Sequence, residues 1–193
     1  MKMKVLIISS STRKGRTSHR VALHLANRFN GVAGVEVRIL DLMEHKLPMF
    51  EEVYVRDENP TVAAKEVAGM LNWADSMVFL TPEYNGTYAP ALKNLVDYYN
   101  KTEFIKKAIG IVTVSTGALA GMRSAVQMQN LIAALFGYVA PYMLPVGNVT
   151  DKFEEDGTLK LPLFENSVHN FVSEFLWLAD AIVAKKELAA AAA

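Results

Sequence analysis

After the apolar run VLII at residues 5–8 comes SSSTRKGRTSHR, residues 9–20, where hydroxyls and guanidinium groups crowd into a strand-to-helix passage. The first N–H groups of a helix lack partners and carry the positive end of its dipole, so a phosphate there gains amide donors. Ser11, Arg13 and Ser18 would add hydroxyl and charge-assisted contacts, and the chemistry indicated is anion binding. The same residues also suit an ordinary N-capped helix with a solvated basic face.

Two better-defined phosphate loops do not fit. Residues 10–17 approach G-x-x-x-x-G-K-[ST], but Ser10 replaces the first Gly and Arg16 the Lys. A side chain at the tight turn and a planar guanidinium in place of a point charge both work against it. The dinucleotide fingerprint G-x-G-x-x-G is absent, since Gly15 is the only glycine before Phe29.

Two further segments carry suitable chemistry. Residues 81–89 (TPEYNGTYA) combine Pro82, Tyr84, Asn85, Gly86 and Tyr88. Pro and Gly set a turn, Asn85 both donates and accepts, and Tyr84 offers a flat face, a set suited to a planar heterocycle such as an isoalloxazine. A tight turn with aromatics packed on neighbouring helices is the competing reading. Residues 115–121 (STGALAG) are small, which lets backbone amides approach a ligand closely; an ordinary flexible turn has the same composition.

These segments need a frame that brings them together. Apolar runs at residues 5–8, 77–80 and 109–114, each flanked by helical periodicity, are expected to be central strands of a parallel sheet covered on both faces. Residues 35–40 alternate, with Glu36 and Arg38 on one side, and residues 139–146 carry Pro141 and Pro145; both belong at sheet edges. Helical stripes run through Val21, Leu25 and Phe29; Ala63, Val67, Met70 and Ala74; Leu92, Leu95, Val96 and Tyr99; residues 122–136; and Val168 to Ile182. Right-handed crossovers then imply a flavodoxin-like, doubly wound, five-stranded α/β sheet of order 2-1-3-4-5. The ligand of such a sheet lies at the carboxyl ends of strands one and three, where all three segments fall. One domain over residues 1–188 is expected, with the alanine run 189–193 set aside as a frayed or added end.

Composition narrows the function. Lys plus Arg equals Asp plus Glu at 20 each, so no net field draws in nucleic acid or anionic lipid. Without cysteine there is no thiol nucleophile and no sulfur-ligated metal, so redox chemistry needs an organic cofactor. The amino-terminal apolar stretch is too short for a signal-peptide core or a membrane span, and a cytoplasmic protein without membrane association is expected. His19, His24, His45 and His169 show no metal-ligand spacing or carboxylate pairing and are expected at the surface or at caps, with no metal site. Glu154, Glu155, Asp156 and Gly157 are expected in a solvated turn.

The three segments together, SSSTRKGR followed by Thr17 and Ser18, then TPEYNGTYAPALKNLVDYY, then STGALAG, resemble the signature segments of the NAD(P)H-dependent FMN reductase family, which includes quinone, azo-dye and chromate reductases. The resemblance covers roughly residues 4–146 and is most specific at PEYNG. It implies bound FMN, with NADPH or NADH as co-substrate. Ser11, Arg13 and Ser18, with Thr17 beside them, would hold the phosphate. Pro82, Glu83, Tyr84, Asn85 and Gly86 would line the ring edge, and Ser115, Thr116 and Gly117 its other side. The sequence departs from the family pattern at Ser10, usually Gly, and Ser18, often Asn; either change could loosen the phosphate grip. After strand two the family carries a segment like DLMEHKLPMFEE, residues 41–52, whose Leu47, Pro48, Met49 and Phe50 would be exposed and reach a second subunit's flavin, unless they are satellite core. The run 131–136 is either dimer interface or a helix buried by the sheet.

The resulting expectation is a homodimer or tetramer that moves a hydride from nicotinamide to flavin and then to a small-molecule acceptor by ping-pong transfer. The flavin carries the chemistry, and no catalytic side chain is indispensable. A flavodoxin-type electron carrier shares fold and cofactor, but carriers usually need a strong steering field, which the balanced charge does not supply. A flavin-free scaffold on the same fold is the third possibility.

Overall fold

Along the first strand, β1 (Met3–Ser9), successive apolar side chains leave on opposite faces, as a pleated backbone requires. Val5 and Ile7 enter one core with α1 (Ser18–Asn30) and α6 (Glu165–Ala191). Leu6 and Ile8 enter another with α2 (Val62–Trp73), α3 (Pro90–Tyr99) and α4 (Met122–Ala134). The same alternation in β3 (Ser76–Tyr84) and β5 (Ala108–Val114) places the sheet between two helical layers. This computed structural model describes residues 2–192.

The sheet runs β2-β1-β3-β5-β6, with β2 (Val35–Asp41) and β6 (Tyr138–Val139) at its edges and all these neighbours parallel. With a short hairpin strand β4 (Thr87–Tyr88) counted separately, this is the expected flavodoxin-like order. The expected fifth strand is split into β6 and β7 (Leu144–Val146), both paired with β5 and separated where Pro141 falls. Proline has no N–H for a ladder, so Pro145 is accommodated in β7 at the outer edge. On β2, Arg38 lies over the Trp73 ring of α2, 4.1 Å from its centroid.

Several element bounds differ from expectation. The α2 stripe is Ala64, Val67, Ala68 and Leu71, whereas Ala63 and Met70 are half-buried. VAAKEVAGML is apolar on most of its circumference, so periodicity leaves the helix phase open. α4 ends before Phe136, which takes a left-handed φ of 56°. α6 continues through Ala191 and Ala192 caps it, so most of the alanine run is helical; Ala193 lies outside the described residues. A four-residue α5 (Val149–Lys152) precedes the turn at 154–157. That turn is docked rather than merely solvated: His24 Nδ1 is 3.0 Å from Gly157 O, and Arg20 donates to Phe153 O at 3.1 Å. Gly110 explains the close seating of α6, because a Cβ there would lie 2.9 Å from Phe171 Cζ. No helix among the described residues is long and apolar enough to cross a membrane.

Candidate functional site

β1 delivers the chain to the sheet's carboxyl edge at Ser9, and α1 begins at Ser18. Ser10 is buried, and both its N–H and its hydroxyl donate to Leu80 O, at 3.0 and 2.9 Å. A serine therefore fits at this turn: its hydroxyl is satisfied by the neighbouring strand β3. Ser11 Oγ meets Tyr84 OH at 2.8 Å, tying the first loop to the end of β3. Ser18 is 2% exposed, and its Oγ has no hydrogen-bond partner among the described residues. A buried hydroxyl without a partner is costly, so this one at a helix start points to an acceptor supplied from outside the chain.

Arg13 and Arg16 differ sharply. Arg13 is exposed and makes no ion pair among the described residues. Arg16 forks onto both oxygens of Asp41 and donates to Ser11 O at 2.8 Å. Burial alone would raise the Asp41 pKa, but Arg16 and the Met43 N–H hold its carboxyl below the usual range. Burial lowers the His19 pKa against the attraction of Asp41, while its Nδ1 lies 3.1 Å from Ser9 Oγ.

Beyond Leu80 the expected turn is the tip of a short hairpin. β3 runs on to Tyr84 and folds back through Asn85 (φ 50°) and Gly86 (φ 83°) into β4. Positive φ at both central residues is the primed hairpin turn that Asn-Gly favours, so the dipeptide was itself a sequence signal for it. α4 grips the hairpin: Gln127 donates to Gly86 O at 3.0 Å and accepts from Thr87 Oγ1 at 2.6 Å, and Arg123 donates to Glu83 at 3.0 Å. Sequence reasoning missed Arg123 and Gln127, because nothing local marks which α4 residues face β4. In the third loop Gly117 N donates to Ser115 Oγ at 3.0 Å, and Ser115 N donates to Val146 O at 2.9 Å.

A cavity of about 310 Å³ gathers Ser11, Arg13, Thr17, Ser18, Pro82, Glu83, Tyr84, Ser115 and Thr116, together with Gly15, Arg16 and Val114. Asn85, Gly86 and Gly117 are not in its wall and continue two of its loops outward. A second cavity, about 450 Å³, lies between Thr12, the segment after β2 (Leu42, His45, Lys46, Leu47, Met49) and the start of α3. In that segment Pro48, Met49 and Phe50 are exposed, as expected, but Leu47 packs against the core. Asn94 fixes the segment to α3, donating to Pro48 O at 2.7 Å and accepting from Phe50 N at 2.8 Å. The run 131–136 divides likewise: Ile132 and Leu135 are buried, Phe136 exposed.

Three of the four histidines need correction, because only the fold brings carboxylates near them, whereas His169 is exposed as expected. His19 lies 3.5 Å from Asp41, His24 3.8 Å from Glu165 and His45 4.0 Å from Glu66.

Comparison with known proteins bears on this loop set. A family model described as NADPH-dependent FMN reductase matches residues 3–151. An NADPH azoreductase of Bacillus sp. (strain OY1-2) is 28% identical over 173 residues, covering 89% of this chain and 90% of the relative. An FMN-dependent NADPH-azoreductase of Staphylococcus haemolyticus is 26% identical over 170 residues, covering 82% and 85%. In fold, the chain is similar to FerB, a flavoenzyme NAD(P)H:(acceptor) oxidoreductase from Paracoccus denitrificans, at a TM-score of 0.76 and 17% identity, over 93% of this chain and 98% of that one. With the matched span running from β1 through β7 and containing all three loops of the cavity, the chain belongs to the NADPH-dependent FMN reductase family.

Proposed function

We propose that this chain binds FMN in the cavity at the carboxyl edge of β1 and β3 and passes electrons from NADPH or NADH to quinones, azo compounds or free flavins. Family membership makes it an FMN-dependent NAD(P)H oxidoreductase acting on small acceptors. The observation that carries the residue assignment is Ser18 Oγ, buried without a partner at the start of α1 and in the same wall as Arg13. Arg13, Thr17, Ser18 and the α1 amides would hold the phosphate. Ser11 would orient Tyr84 through their shared hydrogen bond, and Pro82, Glu83, Asn85 and Gly86 would meet the ring's polar edge. Ser115, Thr116 and Gly117 would close the opposite side. FMN held by these residues would supply the two-electron redox chemistry between the reduced nicotinamide and the acceptor. The protein contributes position and fixed dipoles, so no side chain needs to act as base or nucleophile.

The protein is expected to purify with a flavin absorbance band that NADPH or NADH bleaches anaerobically and a quinone restores. Failure of both nucleotides to bleach the band within minutes, when dithionite does so, would favour an electron carrier.

A homodimer, or a dimer of such dimers, is part of this proposal. Met49 and Phe50 after β2, Val126 on α4 and Phe136 just beyond it are exposed apolar side chains that contact with further copies of the chain would cover. Light scattering at micromolar concentration should give twice or four times the chain mass. A monomer mass at every concentration would rule the assembly out.

A further inference from the structure

Resting on the FMN reading, we propose that Arg16 is a positioning residue: it does not bind the phosphate but, paired with Asp41, braces the loop that does. Arg16 stands in the cavity wall, where a cation would ordinarily be assigned to the anion. Its fork is already committed, with both terminal nitrogens on Asp41 and one also on Ser11 O. The two side chains are only 12% and 13% exposed, so parting them would strand a carboxylate away from water. Asp41 is fixed in turn by Met43 N, which donates at 2.9 Å, and has His19 Nδ1 at 3.5 Å. The brace thus joins the phosphate loop, the first turn of α1 and the segment that walls the second cavity.

The loop needs such a tie. Among the described residues, Thr12, Arg13, Lys14 and Thr17 make no side-chain hydrogen bond, and Gly15 sits at φ 68° with open space where a Cβ would be. The backbone adds Arg16 N donating to Arg13 O at 3.2 Å and Arg20 N donating to Thr17 O at 3.3 Å. Ordering residues 12–17 at the moment of binding would cost conformational entropy that a preformed loop avoids. Because Asp41 neutralises Arg16, Arg13 is left as the uncommitted guanidinium facing the ligand.

The test is fluorescence titration of apoprotein with FMN and with riboflavin, for wild type, Arg16→Ala, Asp41→Asn and the double variant. Each single change is expected to weaken FMN binding about tenfold and to leave riboflavin binding within about twofold, and the double variant to lose no more than the worse single. Tighter FMN binding by Asp41→Asn would make Arg16 a phosphate ligand held back by Asp41, overturning the brace. Equal losses for FMN and riboflavin would reduce the pair to general fold maintenance, and additive losses would mean two separate roles; either overturns the brace. Should Arg16→Ala not fold, Arg16→Lys, which keeps the charge but not the fork, is expected to show a smaller FMN-selective loss, and no such loss overturns the brace. Wild type binding the two flavins equally would instead bring down the phosphate reading beneath the brace.

Discussion

Arg13→Ala is expected to weaken FMN binding by about 1.5–3 kcal/mol, roughly ten- to 150-fold, the range of one charge-assisted hydrogen bond. Arg13 is exposed in the cavity wall and forms no ion pair among the described residues, so its interaction with a phosphate is not offset by a broken one. Riboflavin, which lacks the phosphate, should bind the variant and wild type alike. Arg13→Lys should recover part of the loss, because an ammonium keeps the charge without the planar fork. Titration of the apoproteins with both flavins checks this. If Arg13→Ala binds FMN as wild type does, Arg13 has no phosphate role and the hydroxyls and α1 amides hold the anion without it.

Asn85 carries the second large effect, and its backbone dictates the design. At φ 50° the residue occupies a left-handed conformation that alanine resists, so Asn85→Ala removes the side-chain amide and strains the hairpin together. Asn85→Gly removes the amide alone. The glycine variant is expected to be reduced by NADPH about tenfold more slowly in single-turnover stopped flow, equivalent to about 1.4 kcal/mol of lost stabilisation of the reduced ring. The alanine variant should be slower again and less stable by about 1–2 kcal/mol. An unchanged rate for Asn85→Gly, with only the alanine variant impaired, would assign the residue to the turn and leave the ring edge to backbone groups.

Much of this protein is decided locally. The runs at 5–8, 77–80 and 109–114 became three central strands because continuous β-branched and aliphatic stretches of that length are satisfied only between two helical layers. Pro141 and Pro145 marked the second edge because a residue without N–H cannot donate to a ladder and is accommodated in an edge strand. The hydroxyl-rich loop at the start of α1 was legible for the same kind of reason: unpaired amides at a helix start favour an anion whatever lies further away. What the tertiary structure alone decided is which polar groups are already taken. Arg13 and Arg16 carry the same guanidinium and lie three residues apart, yet Asp41, brought alongside by the β1–β2 pairing, engages one, while the other makes no ion pair among the described residues. Ser10 and Ser18 are both buried hydroxyls, but only Ser10 finds Leu80 O, because β3 lies beside β1. Gln127 and Arg123 reach the Asn85–Gly86 hairpin across forty residues of chain, a proximity set by the packing of α4. Local sequence sets conformation and donor chemistry; saturation of those donors depends on partners distant in the chain, which only the folded sheet brings within hydrogen-bond reach.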